Sequence, residues 1–151
     1  MFENDVIDSG VMMAMFIFMA IYTVPVFISE LRQNKFILFG YWFVVSIHQI
    51  VAFACVYNSD IVLPDARGFH LRGEVLAVND GWVFALGAEF YEEIIGTIYR
   101  WFGVSQLLGE QFSILAFALS CVVFLKLIRE FGVVRYKLIS LLVFGALPTV
   151  V

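Results

Sequence analysis

Charged residues are scarce in this chain, and their scarcity excludes most soluble folds. Only 15% of the 151 residues are charged, whereas 62% are hydrophobic; ordinary soluble domains are about 25% charged. A soluble domain of this size buries only about 70% of the surface that its unfolded chain exposes. Large apolar patches would remain in water, so the composition indicates a protein whose solvent is a lipid bilayer.

The sequence also lacks clusters of Lys and Arg, and its formal net charge is −4. Because nucleic-acid binding relies on such clusters, we expect no nucleic-acid partner. The two cysteines, Cys55 and Cys121, lie inside apolar runs, where they are expected to be buried apolar side chains rather than disulfide partners or metal ligands. The acidic N-terminus does not resemble the positive start of a cleavable signal peptide, which favours a retained first helix.

Two uncharged runs, Ser9 to Ser29 with 21 residues and Phe36 to Ser59 with 24, match the roughly 20 apolar residues that cross a bilayer. A third, Gln111 to Leu125, reaches this length when the residues before it are added. A fourth begins at Leu138 and is still apolar at Val151, which predicts a truncated chain. We expect one all-α integral membrane domain of three to four transmembrane helices, at about 9–29, 36–59, 104–126 and 137–151.

The positions of the basic residues predict the orientation in the membrane. Six of the nine lie between the first and second helices or between the third and fourth: Arg32, Lys35, Lys126, Arg129, Arg135 and Lys137. Short loops rich in Lys and Arg stay in the cytoplasm. The segment 60–103 is net acidic, so we expect this segment and the N-terminus on the outer side.

The first part of the outer segment, Asn58 to Gly81, carries prolines, glycines and scattered charges, which predicts a loop or short broken helices. If it were helical, His70 would share a face with Arg67. An Asp and a His at the mouth of a helical bundle can supply a general base or bind a metal-bridged phosphate. The alternative is a solvated loop in which Asp65 caps a short helix.

The second part, Phe84 to Phe102, has apolar residues at three- and four-residue steps. This pattern predicts an amphipathic helix that lies in the interface on the outer side of the membrane. Its opposite face carries Glu89, Glu92 and Glu93, interpreted as a solvated polar face or as a second acid/base site. Arg100 is expected to pair with Glu93 or with nearby backbone of the same helix.

His48 is the ionisable residue within the second apolar run. Ionisable residues inside a membrane are functional candidates by default, so His48 with Gln49 is a candidate for a proton relay or a contact to lipid. The alternative is a neutral imidazole that is hydrogen-bonded to a neighbouring helix.

Several short motifs of the outer segment resemble the N-terminal part of GT-C-type polytopic membrane glycosyltransferases, in particular the protein O-mannosyltransferase-like and cell-surface polysaccharide groups. They are Asp65-Ala66-x-x-Phe69-His70, Gly81-Trp82-x-Phe84-x-Leu86-Gly87, Phe90-Tyr91 and Tyr99-x-x-Phe102-Gly103. In that family an outward loop near the N-terminus carries an acidic residue followed by an aromatic residue and often a His.

The resemblance implies transfer of a sugar from a polyprenyl-phosphate donor to an acceptor on the non-cytoplasmic face, in cell-envelope polysaccharide biosynthesis at the bacterial cytoplasmic membrane. Asp65 would be the catalytic base, and His70 would bind the donor phosphate or the acceptor. Arg67 and Arg72, or a divalent metal, would neutralise the departing phosphate. Such a fragment would be inactive without further C-terminal helices.

A second hypothesis needs no catalysis. The chain would then be a small membrane interaction or assembly subunit whose outer amphipathic helix binds a partner subunit. A transporter fragment would require paired discontinuous helices from a repeat, and the sequence shows no repeat. The two main hypotheses predict different roles for Asp65, which makes this residue the discriminating one.

Overall fold

The computed structural model describes the backbone of residues 2–58, 64–79, 86–132 and 136–146. It describes the side chains of residues 9–58, 67–79, 86–132 and 136–146. The described residues form an all-helical fold, which confirms the all-α part of the prediction. The described elements, in chain order, are α1 (Phe2–Thr23), a 3₁₀ helix (Val24–Phe27), α2 (Ser29–Arg32), α3 (Lys35–Tyr57), α4 (Pro64–Val78), α5 (Ala88–Phe102), α6 (Gln106–Glu130) and α7 (Lys137–Ala146).

Three helical segments are long and apolar enough to cross a membrane: Ser9–Phe27, Lys35–Tyr57 and Gln106–Glu130. They fall on the three longest predicted spans, although the last continues beyond its expected end at residue 126. The apolar α7 has 10 described residues, and the rest of the fourth predicted span lies outside the described residues.

The long helices begin at residues that satisfy their free backbone N–H groups. Asn34 Oδ1 accepts a hydrogen bond from the N–H of Phe36 at 2.9 Å before α3, and Ser105 Oγ accepts one from the N–H of Leu108 at 3.4 Å before α6. Gly103 adopts φ 93°, a conformation that costs glycine little. This turn places the end of α5 directly beside the start of α6.

The segment predicted as a loop or as broken helices is instead one continuous helix of 15 residues, α4. The glycines that suggested a break lie at a close helix crossing. A Cβ at Gly73 would be 2.5 Å from Ile95 Cγ2, and a Cβ at Gly96 would be 2.7 Å from Leu76 Cβ. Glycine allows such close approach, so Gly73 and Gly96 serve the packing of α4 on α5.

The α4–α5 hairpin lies at one end of a bundle that α1, α3, α6 and α7 form. At this hairpin end, Ser9 Oγ donates a hydrogen bond to the carbonyl of Phe102 at 2.6 Å. At the opposite end, Arg129 Nη1 lies 3.7 Å from Glu30 Oε1 and links α6 to α2. This second end, here called the basic end, carries Arg32, Lys35, Lys126, Arg129 and Lys137.

One continuous apolar core joins these helices and includes residues from α1, α3, α5, α6 and α7. Its fully buried members include Tyr41, Leu108 and Leu141. Cys121 is buried in this core, Cys55 is half-buried, and the two are not joined by a disulfide bond. The cysteines therefore occupy the apolar positions that their sequence context predicted.

Candidate functional site

The predicted site residues Asp65, Arg67, His70 and Arg72 all belong to α4. The side chain of Asp65 lies outside the described residues, and Arg67 is exposed. His70 is half-buried and Arg72 is exposed, yet both are joined to α5 by polar contacts. Two of the four candidate residues, His70 and Arg72, are therefore fixed by a neighbouring helix.

His70 is fixed by Tyr99 of α5. The imidazole Nδ1 and the Tyr99 hydroxyl oxygen lie 3.0 Å apart, and the two rings meet edge to face with their centroids 5.6 Å apart. Burial lowers the pKa of His70, while the nearby Glu74 carboxylate opposes this change. His70 is therefore biased towards the neutral form, in which Nδ1 can accept or donate according to tautomer.

Tyr99 is buried at the centre of the junction between α4, α5 and α6. Burial raises the pKa of its phenol, and Tyr91, Glu110 and Glu74 raise it further. The hydroxyl is therefore protonated at neutral pH and acts as both donor and acceptor. A Cβ at Gly109 would lie 2.7 Å from the Tyr99 hydroxyl oxygen, so α6 reaches this position only with a glycine there.

A small cavity of about 20 Å³ lies beside this pair. Its volume suits one water molecule, which needs roughly 10–15 Å³ and two to four polar partners. Three helices supply polar groups to its wall: His70, Tyr91, Tyr99, Gln106, Glu110 and Ser113. The cavity therefore has room for one water molecule beside these polar groups and is too small for a sugar.

The deeper wall of the cavity is held by a second hydroxyl contact. Tyr91 and Ser113 share a short hydrogen bond between α5 and α6, and the Ser113 hydroxyl also donates to the carbonyl of Gly109 at 3.0 Å. The Phe69 ring meets the Tyr91 ring edge to face, with centroids 5.0 Å apart. These contacts fix the positions of α4, α5 and α6 around the cavity.

Arg72 forms an ion pair with Glu92 of α5. Its Nη1 lies 3.1 and 3.2 Å from the two carboxylate oxygens. The Glu92 side chain is 10% exposed and the Arg72 side chain 67%. The buried carboxylate thus fixes one edge of the guanidinium group, while the rest of that group faces the surface.

The prediction that Glu89, Glu92 and Glu93 form one solvated face of α5 is wrong for two of the three residues. Glu92 and Glu93 are buried rather than solvated, whereas Glu89 is exposed, because this side of the helix packs on α4 through Gly96. The three carboxylates therefore have different environments, and they do not form the shared acid/base site that was the alternative.

The contacts of Arg100 also differ from the predicted ones. Its guanidinium group donates hydrogen bonds to the carbonyls of Leu76, at 2.9 Å, Ala77, at 3.3 Å, and Asn79. These carbonyls end α4, where a cation is favourable because it offsets the unpaired C=O groups and the helix dipole. Arg100 is therefore a cap between helices rather than a partner of Glu93.

Inside the bundle, His48 Nε2 lies 3.2 Å from the carbonyl of Gly145 in α7, and its ring contacts that of Phe117 with centroids 4.2 Å apart. This agrees with the prediction of an imidazole hydrogen-bonded to a neighbouring helix. The adjacent Gln49 is bound instead by Gln111 of α6. His48 and Gln49 therefore contact two different helices, α7 and α6.

Sequence reasoning missed Tyr99, Gln106 and Glu110 as members of the site. Tyr99 appeared there only as a member of the motif Tyr99-x-x-Phe102-Gly103. Their polar residue types next to an apolar run gave a signal, but the distance along the chain to His70 hid their proximity.

Within the described residues, no group of three or more His, Cys, Asp or Glu side chains is arranged to hold a metal ion. Comparisons with protein families, curated proteins and solved structures find no match to this chain.

Proposed function

We propose that the chain is an integral membrane protein, with α1, α3 and α6 across the bilayer. Large apolar side chains cover the outside of these helices and are more than half exposed in several cases, including Phe16 at 68%, Phe43 at 62% and Val123 at 56%. Contiguous apolar surface of this kind is rare on soluble monomers. Contact with lipid would remove it from water.

The proposed orientation places the basic end in the cytoplasm and the hairpin end outside, following the preference of Lys and Arg for cytoplasmic loops. Single cysteines at Asn79, at the hairpin end, and at Gln33, at the basic end, test it in a background without Cys55 and Cys121. A membrane-impermeant maleimide should label the first in intact cells and the second only after lysis. The reverse pattern would overturn the orientation.

For the hairpin end we propose sugar transfer from a polyprenyl-phosphate donor in the membrane to an acceptor outside the cytoplasm. The observation that carries it is that α4 is a continuous helix with the candidate residues on it and with His70 and Arg72 fixed on α5. This arrangement would hold cationic and basic groups near the headgroup region, where the phosphate of a lipid-linked donor lies.

In this reaction the Asp65 carboxylate takes the proton of the acceptor hydroxyl, and the acceptor oxygen attacks the anomeric carbon. The bond from that carbon to the phosphate oxygen breaks, and the lipid phosphate leaves with the electron pair. Arg67 and the free edge of Arg72 would stabilise the negative charge on the phosphate. His70 would orient the donor phosphate or the acceptor hydroxyl.

The decisive variant is Asp65→Asn, with Glu89→Gln as the matched control because Glu89 is an exposed acid on the same hairpin. Sugar transfer would be followed in membranes containing the natural protein, with a panel of radiolabelled hexosyl polyprenyl phosphates. We expect Asp65→Asn to abolish transfer at unchanged protein abundance and Glu89→Gln to retain it. Transfer by Asp65→Asn would remove Asp65 as the base.

The second candidate is a non-catalytic interaction or assembly subunit. Two observations favour it: the described cavity holds only one water molecule, and the outward side of α4 exposes Leu71, Val75 and Val78, which suit a partner helix. Absence of transfer by the wild type from every donor, together with loss of a co-purifying subunit in Val75→Asp, would support this function instead.

A further inference from the structure

The polar cavity between α4, α5 and α6 joins two titratable groups that the proposed sugar transfer does not use together. His70 lies on α4 and Glu110 on α6, and both line the cavity together with Tyr99 of α5, whose hydroxyl contacts His70 Nδ1. The cavity has room for one water molecule beside these groups. The groups are thus arranged in one connected polar space.

We propose that His70, Tyr99 and Glu110, with one water molecule in the cavity, form a proton-exchange site that shares one proton between the imidazole and the carboxyl group. The proposal is independent of the sugar and of Asp65. It assigns a chemical role to Glu110 and Tyr99, which are not among the site residues predicted from the sequence.

The hydrogen-bond roles follow from the tautomers of His70. When the imidazole is neutral with its proton on Nε2, Nδ1 accepts the hydrogen bond from the Tyr99 hydroxyl. When the imidazole is protonated, Nδ1 becomes a donor, so the Tyr99 hydroxyl must turn its own proton elsewhere. The cavity side, with its water molecule and the Glu110 carboxylate, offers the acceptor.

The transfer balances without another reactant. The Glu110 O–H bond breaks as its proton passes to the water, the water gives a proton to the Tyr99 oxygen, and the Tyr99 hydroxyl proton moves to His70 Nδ1. The products are a carboxylate and an imidazolium, and the water and the phenol are regenerated. The reverse sequence restores the neutral pair.

Burial and the Glu74 carboxylate have opposite effects on where the proton shared by His70 and Glu110 resides. Glu110 is half-buried, and neither salt bridge of the described residues involves it. An unpaired charge removed from water is costly, and a buried group becomes neutral instead. Burial therefore favours the neutral pair, whereas the Glu74 carboxylate favours the imidazolium, so we expect both forms to be populated when the site holds one proton.

The groups that face this site come from three helices. Glu74 of α4 favours the imidazolium, whereas Tyr91 and Tyr99 of α5 stay protonated because burial raises the pKa of both phenols. Glu110 is the acid that α6 contributes. Glu74 therefore acts through charge alone, and Glu110 is the group connected through the cavity.

The test uses the wild-type chain in lipid nanodiscs with ¹⁵N-labelled histidine. Its two histidines give few signals, and His48→Gln identifies that of His70. We expect Glu110→Gln to lower the titration midpoint of His70 by about one pH unit, the size of coupling that makes two groups titrate together, because a carboxylate favours the imidazolium. The exposed Glu89→Gln is the control and should leave the midpoint unchanged.

Infrared difference spectra across the same pH range separate proton sharing from simple charge attraction. In the wild type, a carboxyl band that is absent in Glu110→Gln should change at the His70 midpoint. In Tyr99→Phe, which keeps the ring, the band should change at a different pH from His70. An unchanged midpoint in Glu110→Gln, an equal shift in Glu89→Gln, or coincident transitions in Tyr99→Phe would each overturn the proposal.

Discussion

Gln49 and Gln111 exchange two amide hydrogen bonds across the contact between α3 and α6. Gln49 Nε2 donates to Gln111 Oε1 at 2.9 Å, and Gln111 Nε2 donates to Gln49 Oε1 at 2.7 Å. The residues are 3% and 1% exposed, so each amide depends on the other for its partners. This pair sets the register of the two longest apolar helices.

Replacing one glutamine of the pair should reduce stability more than replacing both. Gln49→Leu or Gln111→Leu leaves a buried amide unpaired, which we expect to destabilise the fold by about 1–2 kcal/mol. In the double variant the facing leucines should restore much of that loss. Reversible unfolding in mixed micelles measures the free energy of unfolding of the wild type, both single variants and the double variant. The exposed Gln33→Leu is the control. Additive losses would show that the two amides act separately.

The spans could be predicted from the sequence because uncharged length is a property of contiguous residues. The partner of Gln49 could not, since Gln111 is 62 residues away and nothing local marks it. The same limit explains why the solvated face predicted for α5 was wrong. A periodic pattern tells which residues share a face, but whether Glu92 and Glu93 face water or α4 depends on tertiary packing.

The helix α4 was missed for a related reason. Glycine lowers helix propensity by about 1 kcal/mol relative to alanine, so Gly68 and Gly73 favoured a loop interpretation. In the structure Gly73 is compensated by close packing against Ile95, a gain that propensity does not contain. His70 and Arg72 could be singled out from the sequence, whereas their contacts with Tyr99 and Glu92 became evident only from the fold.

The two glycines of α4 should respond oppositely to alanine. Gly73→Ala places a methyl group 2.5 Å from Ile95 Cγ2, and overpacking of this kind costs about 1–3 kcal/mol. Gly68→Ala meets no atom within 4 Å and should stabilise by roughly 0.5–1 kcal/mol through helix propensity. Thermal unfolding of both variants provides the comparison. Equal effects at the two positions would contradict the close crossing of α4 and α5.

Arg100→Gln should loosen the end of α4 without unfolding α5. The variant removes the guanidinium group from the carbonyls of Leu76, Ala77 and Asn79. We expect amide hydrogen exchange in the last turn of α4 to become roughly fivefold faster, as a loss of ~1 kcal/mol implies. Arg67→Gln, at an exposed position of the same helix, should leave exchange there unchanged. Unaltered protection in Arg100→Gln would reject the cap.

Stability should fall in mild acid because of His70. Its folded-state pKa lies below the ordinary value of 6.5 because of burial, so the unfolded chain binds the proton more readily. Stability is then complete above pH 6.5 and declines as the pH falls towards the folded-state pKa. His70→Gln should flatten this part of the pH profile of unfolding. Glu74→Gln should extend the decline to lower pH, because it removes the carboxylate that favours the imidazolium; a profile with the same slope in His70→Gln would assign the acid sensitivity to other groups.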